Sequence, residues 1–222
     1  TYQPVESVGE YDGKREVHGC QLLANGHILI SEAGIPQLVE IDANGQVIKI
    51  ISLPPTKQEV HLQIHMARVG PEGNYWVAYL GDGVIYAVNE DGKVINTIEV
   101  KTADANTQLA YEALPLNNGN VLVSGAGTGK VMEFNPSGEL VWEISKDDLP
   151  GIDLQWIAGI DRLPNNNTII CDWGNGQSVV KALEITPNKE IVWQLTNPAF
   201  KGISRIQVIP VEYCSVATGE IY

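Results

Sequence analysis

Leu23-Ala24-Asn25-Gly26-His27-Ile28-Leu29-Ile30 recurs as Gly70-Pro71-Glu72-Gly73-Asn74-Tyr75-Trp76-Val77. It returns as Asn117-Asn118-Gly119-Asn120-Val121-Leu122-Val123, and again as Pro164-Asn165-Asn166-Asn167-Thr168-Ile169-Ile170. With His27, Asn74, Asn120 and Asn167 equivalent, the spacings are 47, 46 and 47. A second marker follows 18 positions after the first in three units, ending at Gly45, Gly92 and Gly138, and 22 positions after it in the fourth, at Lys189. Two turn signals holding one period define a repeat architecture.

Each unit reads as four short strands, which in the third are Ala110–Leu114, Asn120–Ser124, Lys130–Asn135 and Leu140–Ile144. Asn-Gly, Asp-Gly and Ser-Gly pairs supply the positive φ of tight hairpins. Alternation of period two in Val84-Ile85-Tyr86-Ala87-Val88 suits strands and is too short for helices. Four antiparallel strands every 40 to 50 residues make a β-propeller blade. The expected fold is therefore all-β, one propeller domain over 1–222, with blades near 17–53, 61–100, 108–145 and 155–196. A fifth blade would combine 203–222 with 1–10, pairing first and last strands so that no sheet edge stays open. A piece of a ring of six or more blades is the alternative.

The unit running from Leu114-Pro115 through Gly119-Asn120-Val121-Leu122-Val123 to Phe134-Asn135-Pro136-Ser137-Gly138-Glu139-Leu140-Val141-Trp142 resembles the PQQ-repeat, or quinoprotein-like, propellers. It looks most like short secreted bacterial members labelled surface-layer-like. The resemblance implies a secreted or periplasmic location. It does not bring the quinone cofactor with it, because the adjacent cysteine pair of the quinone-dependent dehydrogenases has no counterpart among Cys20, Cys171 and Cys214. No cofactor is expected, and the three cysteines read as free thiols buried in strands, with one bridge plus one free thiol as the alternative.

A net charge of −13 argues against a nucleic-acid surface, which needs clustered Lys and Arg. No apolar run is long enough to span a bilayer as a helix. Gly125-Ala126-Gly127-Thr128-Gly129-Lys130 lacks the residues of a phosphate-binding loop and reads as a strand connection.

Ligand sites on propellers gather where connections between blades, and loops between second and third strands, share one face. That face would collect Arg15, His18, His61, His65, Gln108, Tyr111, Gln155, Trp156 and Ser204, with Glu32, Asp82, Asp172 and Trp173 from the loops. The candidate channel mouth is His18, Glu32, His65, Tyr111, Trp156, Asp172 and Trp173. His18 and His65, from neighbouring blades, are the better pair for a metal, with Glu32 or Asp172 as oxygen ligand. On one strand His61 and His65 would stand about 13 Å apart. The four extra residues of the fourth unit fall around Asp172–Gln177, a loop lengthened on that face. A ring at one height was expected from Gln21, Ala67, Glu112, Asp161 and Gln207, facing a watery channel.

The function these features suggest is a monomeric, non-catalytic binding or scaffold domain taking a small polar ligand, such as a carbohydrate, or a protein partner. The alternative is a metal-assisted hydrolase or lyase acting on a carbohydrate or lactone.

Overall fold

The structure, a computed structural model, describes residues 13–56, 58–100, 110–174, 179–206 and 208. The strands β1 (Glu16–Leu22), β2 (Ile28–Ala33), β3 (Gln37–Ile41) and β4 (Val47–Ser52) form the first antiparallel sheet in sequence order. The second contains β5 (Ile64–Val69), β6 (Tyr75–Tyr79), β7 (Val84–Val88) and β8 (Val94–Glu99). The third holds β9 (Glu112–Pro115), β10 (Val121–Ser124), β11 (Lys130–Phe134) and β12 (Leu140–Ser145), and the fourth β13 (Ile157–Arg162), β14 (Thr168–Asp172), β15 (Val180–Ile185) and β16 (Ile191–Thr196). The first strands β1, β5, β9 and β13 lie side by side in that order. The molecule is a β-propeller with four four-stranded blades among the described residues. The expected fifth blade falls mostly outside them.

The period is written by side chains that hold their own turns. Asp42 Oδ1 accepts from the Asn44 and Gln46 amides, Asn89 Oδ1 from Asp91 and Lys93, and Asn135 Oδ1 from Ser137 and Glu139. In the fourth blade Thr186 Oγ1 accepts from Glu190. These turns satisfy backbone donors locally and fix the register between third and fourth strands. At the other hairpin, Asn120 and Asn167 donate to Glu133 and Glu184, and His27 Nδ1 lies 2.5 Å from Glu40. The second blade breaks this column: Ala87 replaces the glutamate, and Trp76 replaces the aliphatic residue paired with it.

In the second and third blades the middle strands are buried on both faces because each of these blades lies between two others. Val77 packs toward the first blade with Leu29, Leu38 and Ile64, while its neighbour Ala78 packs toward the third with Val121, Val123 and Phe134. Leu122 turns the opposite way, joining Ile157, Ile170 and Leu183. Outermost strands keep one face in solvent. Trp193 is exposed on β16. Cys20 is likewise exposed, against the expectation of burial, whereas Cys171 is buried; both are free thiols.

The hairpins correct the expected ring of polar residues. The bonds Leu23 N–H to His27, Gly70 to Asn74, Leu116 to Asn120 and Leu163 to Asn167, each 2.8 Å, mark equivalent positions. Two residues back lie Gln21, Arg68, Leu114 and Asp161, so Ala67 and Glu112 do not share that height. Glu112 pairs with Ser124 as Gly19 pairs with Ser31, one step deeper along the strand on the side of the strand starts. Nor does Glu112 face water. It is fully buried, its Oε1 2.6 Å from Arg68 Nη2 and also bound by Arg205, its Oε2 accepting from the Ile160 amide at 3.0 Å. Gln207 lies outside the described residues.

Candidate functional site

A cavity of about 570 Å³ opens where the first strands begin, lined by His18, His61, His65, Tyr111, Trp156, Ala158, Trp173 and Ser204. These residues come from β1, the turn before β5, β5 itself, the starts of β9 and β13, the loop after β14 and the segment after β16. The structure thus brings together His18, His65, Tyr111, Trp156 and Trp173 of the predicted mouth. His61 joins them because the strand expected through it is a short 3₁₀ turn, Val60–Leu62, leading into β5 at Ile64. The turn folds His61 back over His65, and their ring centroids are 5.4 Å apart. His18 lies 4.0 Å from His65 and 5.3 Å from His61, centroid to centroid. Tyr111 stands 4.6 Å from His65 on its other side.

Glu32 and Asp172 do not line the cavity. Glu32 is buried and accepts from Gln37 Nε2 at 2.6 Å. Asp172 accepts the Trp156 amide at 2.9 Å and the Gln155 amide at 3.2 Å, so it holds the wall that carries Trp156 rather than the cavity. Asp82 is bound to Thr56 and Gln58. Gln108 lies outside the described residues.

The loop between second and third strands spans three, four, five and seven residues in successive blades, and the longest carries Trp173. The Trp173 amide donates to the Trp156 carbonyl at 2.8 Å, which joins the two aromatic walls through backbone. Behind Trp173 runs Gly202, where an added Cβ would stand 2.0 Å from the Trp173 carbonyl oxygen. Only glycine permits this approach.

Sequence reasoning missed Glu16. Its Oε2 is 2.9 Å from His61 Nδ1 and 3.0 Å from His18 Nε2, and Lys14 pairs with its other oxygen. The signal was present: Glu16 and His18 are two apart at the start of β1. The Lys14 hydrogen bond, with help from His61 and His18, holds the Glu16 carboxyl down at about 2. Burial pulls His18 below its ordinary value, and burial with the neighbouring His18 takes His65 down to about 3. Burial raises Tyr111. The cluster is therefore three close imidazoles, of which the two innermost resist protonation, beside one ionised carboxylate.

Hydrogen bonds assign two tautomers. His65 Nε2 is 2.8 Å from the His61 carbonyl, which can only accept, so Nε2 carries the proton and Nδ1 the lone pair. That Nδ1 is buried and has no hydrogen-bond partner. His61 Nδ1 donates to the Glu16 carboxylate, leaving its Nε2 as the lone pair. His18 Nε2 lies 3.0 Å from the same Glu16 carboxylate oxygen that accepts from His61.

No family model matches the chain, and no curated protein matches it. The likeness to quinoprotein-like propellers is thus carried by no family match. Among solved structures the chain is similar to a protein of unknown function from Bacteroides caccae, at TM-score 0.73 and 21% identity, over 83% of this chain and 68% of that one. It is similar to virginiamycin B lyase from Staphylococcus aureus, at TM-score 0.60 and 14% identity, over 83% of this chain and 57% of that one. A third is the periplasmic gluconolactonase of Pseudomonas aeruginosa, at 0.55 and 12%, over 82% and 53%. The chain spans little more than half the length of these two enzymes. At such identities the likeness is one of fold, and the fold it shows is a β-propeller with four-stranded blades.

Proposed function

We propose that the chain binds a small polar ligand with one apolar ring face, a saccharide or a lactone, in the cavity at the strand starts. The observation that carries this reading is the composition of one wall against the other. Trp156, Trp173 and Tyr111 offer flat apolar surface, and His18, His61 and His65 offer nitrogen atoms, all around a single cavity of about 570 Å³. Aromatic faces take the C–H side of a ring while nitrogen atoms meet its oxygens. Trp173, 43% exposed, has indole surface still open for a ligand to cover.

The closeness of three imidazoles favours a second reading of the same cavity, hydrolysis of the bound ligand or elimination from it. The lyase and the lactonase among the structural neighbours make this class worth testing; they do not assign it.

The test is a panel of mono- and disaccharides and simple aldonolactones, screened by thermal shift and followed by calorimetry. At least one member is expected to bind at a 1:1 ratio, and Trp173→Ala to weaken it roughly three- to tenfold, the range of one aromatic contact. Change in the ligand on prolonged incubation would favour the second reading over simple binding. A panel without a binder, or a binder indifferent to both Trp156→Ala and Trp173→Ala, would overturn the proposal.

A further inference from the structure

The geometry points to a divalent transition-metal site of the zinc type formed by His18, His61 and His65. The inference deepens the proposed function, resting on the same cavity while naming what occupies its nitrogen-rich wall. Each of the three residues offers one nitrogen, and these atoms all lie within 4.8 Å of one another. Two blades supply them: β1 carries His18, while the 3₁₀ turn and β5 carry His61 and His65.

The hydrogen bonds around the rings are those a metal site requires. A ligating histidine commonly donates its second N–H to a carbonyl or carboxylate, which fixes the ring and leaves the lone pair toward the ion. His65 does this through the His61 carbonyl, and His61 through Glu16. The lone pair of His65 Nδ1 has no protein hydrogen-bond partner: His65 is 2% exposed, and this atom is buried without one. Such an orphaned atom is uncommon in native proteins, and a metal ion would satisfy it.

A plain stack of histidines accounts for less. Ring stacking would not align two second-nitrogen hydrogen bonds away from the cluster. The Glu16 carboxylate, 2.9 Å from His61 Nδ1 and 3.0 Å from His18 Nε2, stands just behind the rings. The donor set also sets the class. Three imidazole nitrogens suit zinc, cobalt, nickel or copper, whereas calcium and magnesium take oxygen ligands. Three protein ligands leave a tetrahedral ion one further position, the pattern of catalytic rather than structural zinc. In this cavity that position falls to water or to an oxygen of the bound ligand.

The experiment uses the full chain, stripped with a chelator and titrated with Zn²⁺ by calorimetry and with Co²⁺ by visible absorption. One ion per chain is expected, with the intense ligand-field bands of a four- or five-coordinate cobalt site, and no competition from excess Ca²⁺. His61→Ala, chosen because His61 is the most exposed of the three, should remove the 1:1 binding while the stripped protein melts as before. Glu16→Gln should weaken it about 10–100-fold, as loss of an outer hydrogen-bond partner does. Weak hexa-aquo-like cobalt spectra, or unchanged affinity in His61→Ala, would overturn the site. The two proposals separate cleanly. Ligand binding that depends on Trp173 without any bound metal would leave the cavity reading standing alone, and metal binding without any small-molecule ligand would leave the ion site standing alone.

Discussion

Arg68 Nη2 on β5 lies 2.6 Å from Glu112 Oε1 on β9, and both side chains are almost wholly out of solvent. Glu112 also receives the Ile160 amide from β13 and a hydrogen bond from Arg205, so one carboxylate ties together the centres of three blades and the segment after the fourth. Removing one partner of a buried pair strands the other charge and commonly costs about 3–5 kcal/mol. Glu112→Gln is expected to lose about that much in urea denaturation with an unchanged slope. A loss below about 1 kcal/mol would show that water reaches the pair.

Gly202→Ala places a methyl group against Trp173 backbone, where no flexible side chain can yield. The loop must move, at a cost of about 1–3 kcal/mol. Indole fluorescence should shift, and ligand affinity should fall even though residue 202 does not line the cavity. An unaltered emission spectrum would mean that the two segments part without effort.

Asp172→Ala releases the Trp156 and Gln155 amides, both half-buried. Stability should drop by about 1–3 kcal/mol, the usual consequence of a donor left unmade. Asp172→Asn, which keeps one acceptor oxygen, should recover part of it. Equal losses in the two variants would indicate that the negative charge matters more than the hydrogen bonds.

Cys171 is buried, and desolvation pushes its thiol up to about 12. A raised value favours the neutral form, so at pH 8 almost none of it is the reactive thiolate. Iodoacetamide at that pH should label exposed Cys20 in the native chain and reach Cys171 only after denaturation, as peptide mass mapping would show. Native labelling of Cys171 would reveal an opening of the fourth blade.

The blades were legible in the sequence because their turns are local. Asp42, Asn89 and Asn135 bind amides two and four residues on, so the information sits in a few consecutive letters. The innermost strands were less legible because they are irregular. Register shifts between Val17 and Gly19, Ile64 and Ala67, and Ile157 and Ile160 interrupt three of them. In the third blade a count back from Leu114 puts Glu112 at the wrong height, because Leu116, bonded to Asn120, is the equivalent of Leu23. Five of the seven predicted mouth residues lie on the cavity because blade geometry alone puts strand starts there. Glu32 and Asp172 lie nearby in the fold and serve the backbone and a neighbouring amide, a distinction that depends on side-chain direction. His61 needed a turn that no repeat foretold, and Glu16 needed His61.

Glu112 follows Tyr111 directly in the chain, and Tyr111 is the ring that rests 4.6 Å from His65. The aromatic neighbour of the imidazoles is therefore anchored, one residue on, by a carboxylate that Arg68, the Ile160 amide and Arg205 hold in place. A change that loosens that anchor reaches the histidine cluster through a single peptide unit, so the stability of the blades and the alignment of the rings are set by the same contacts.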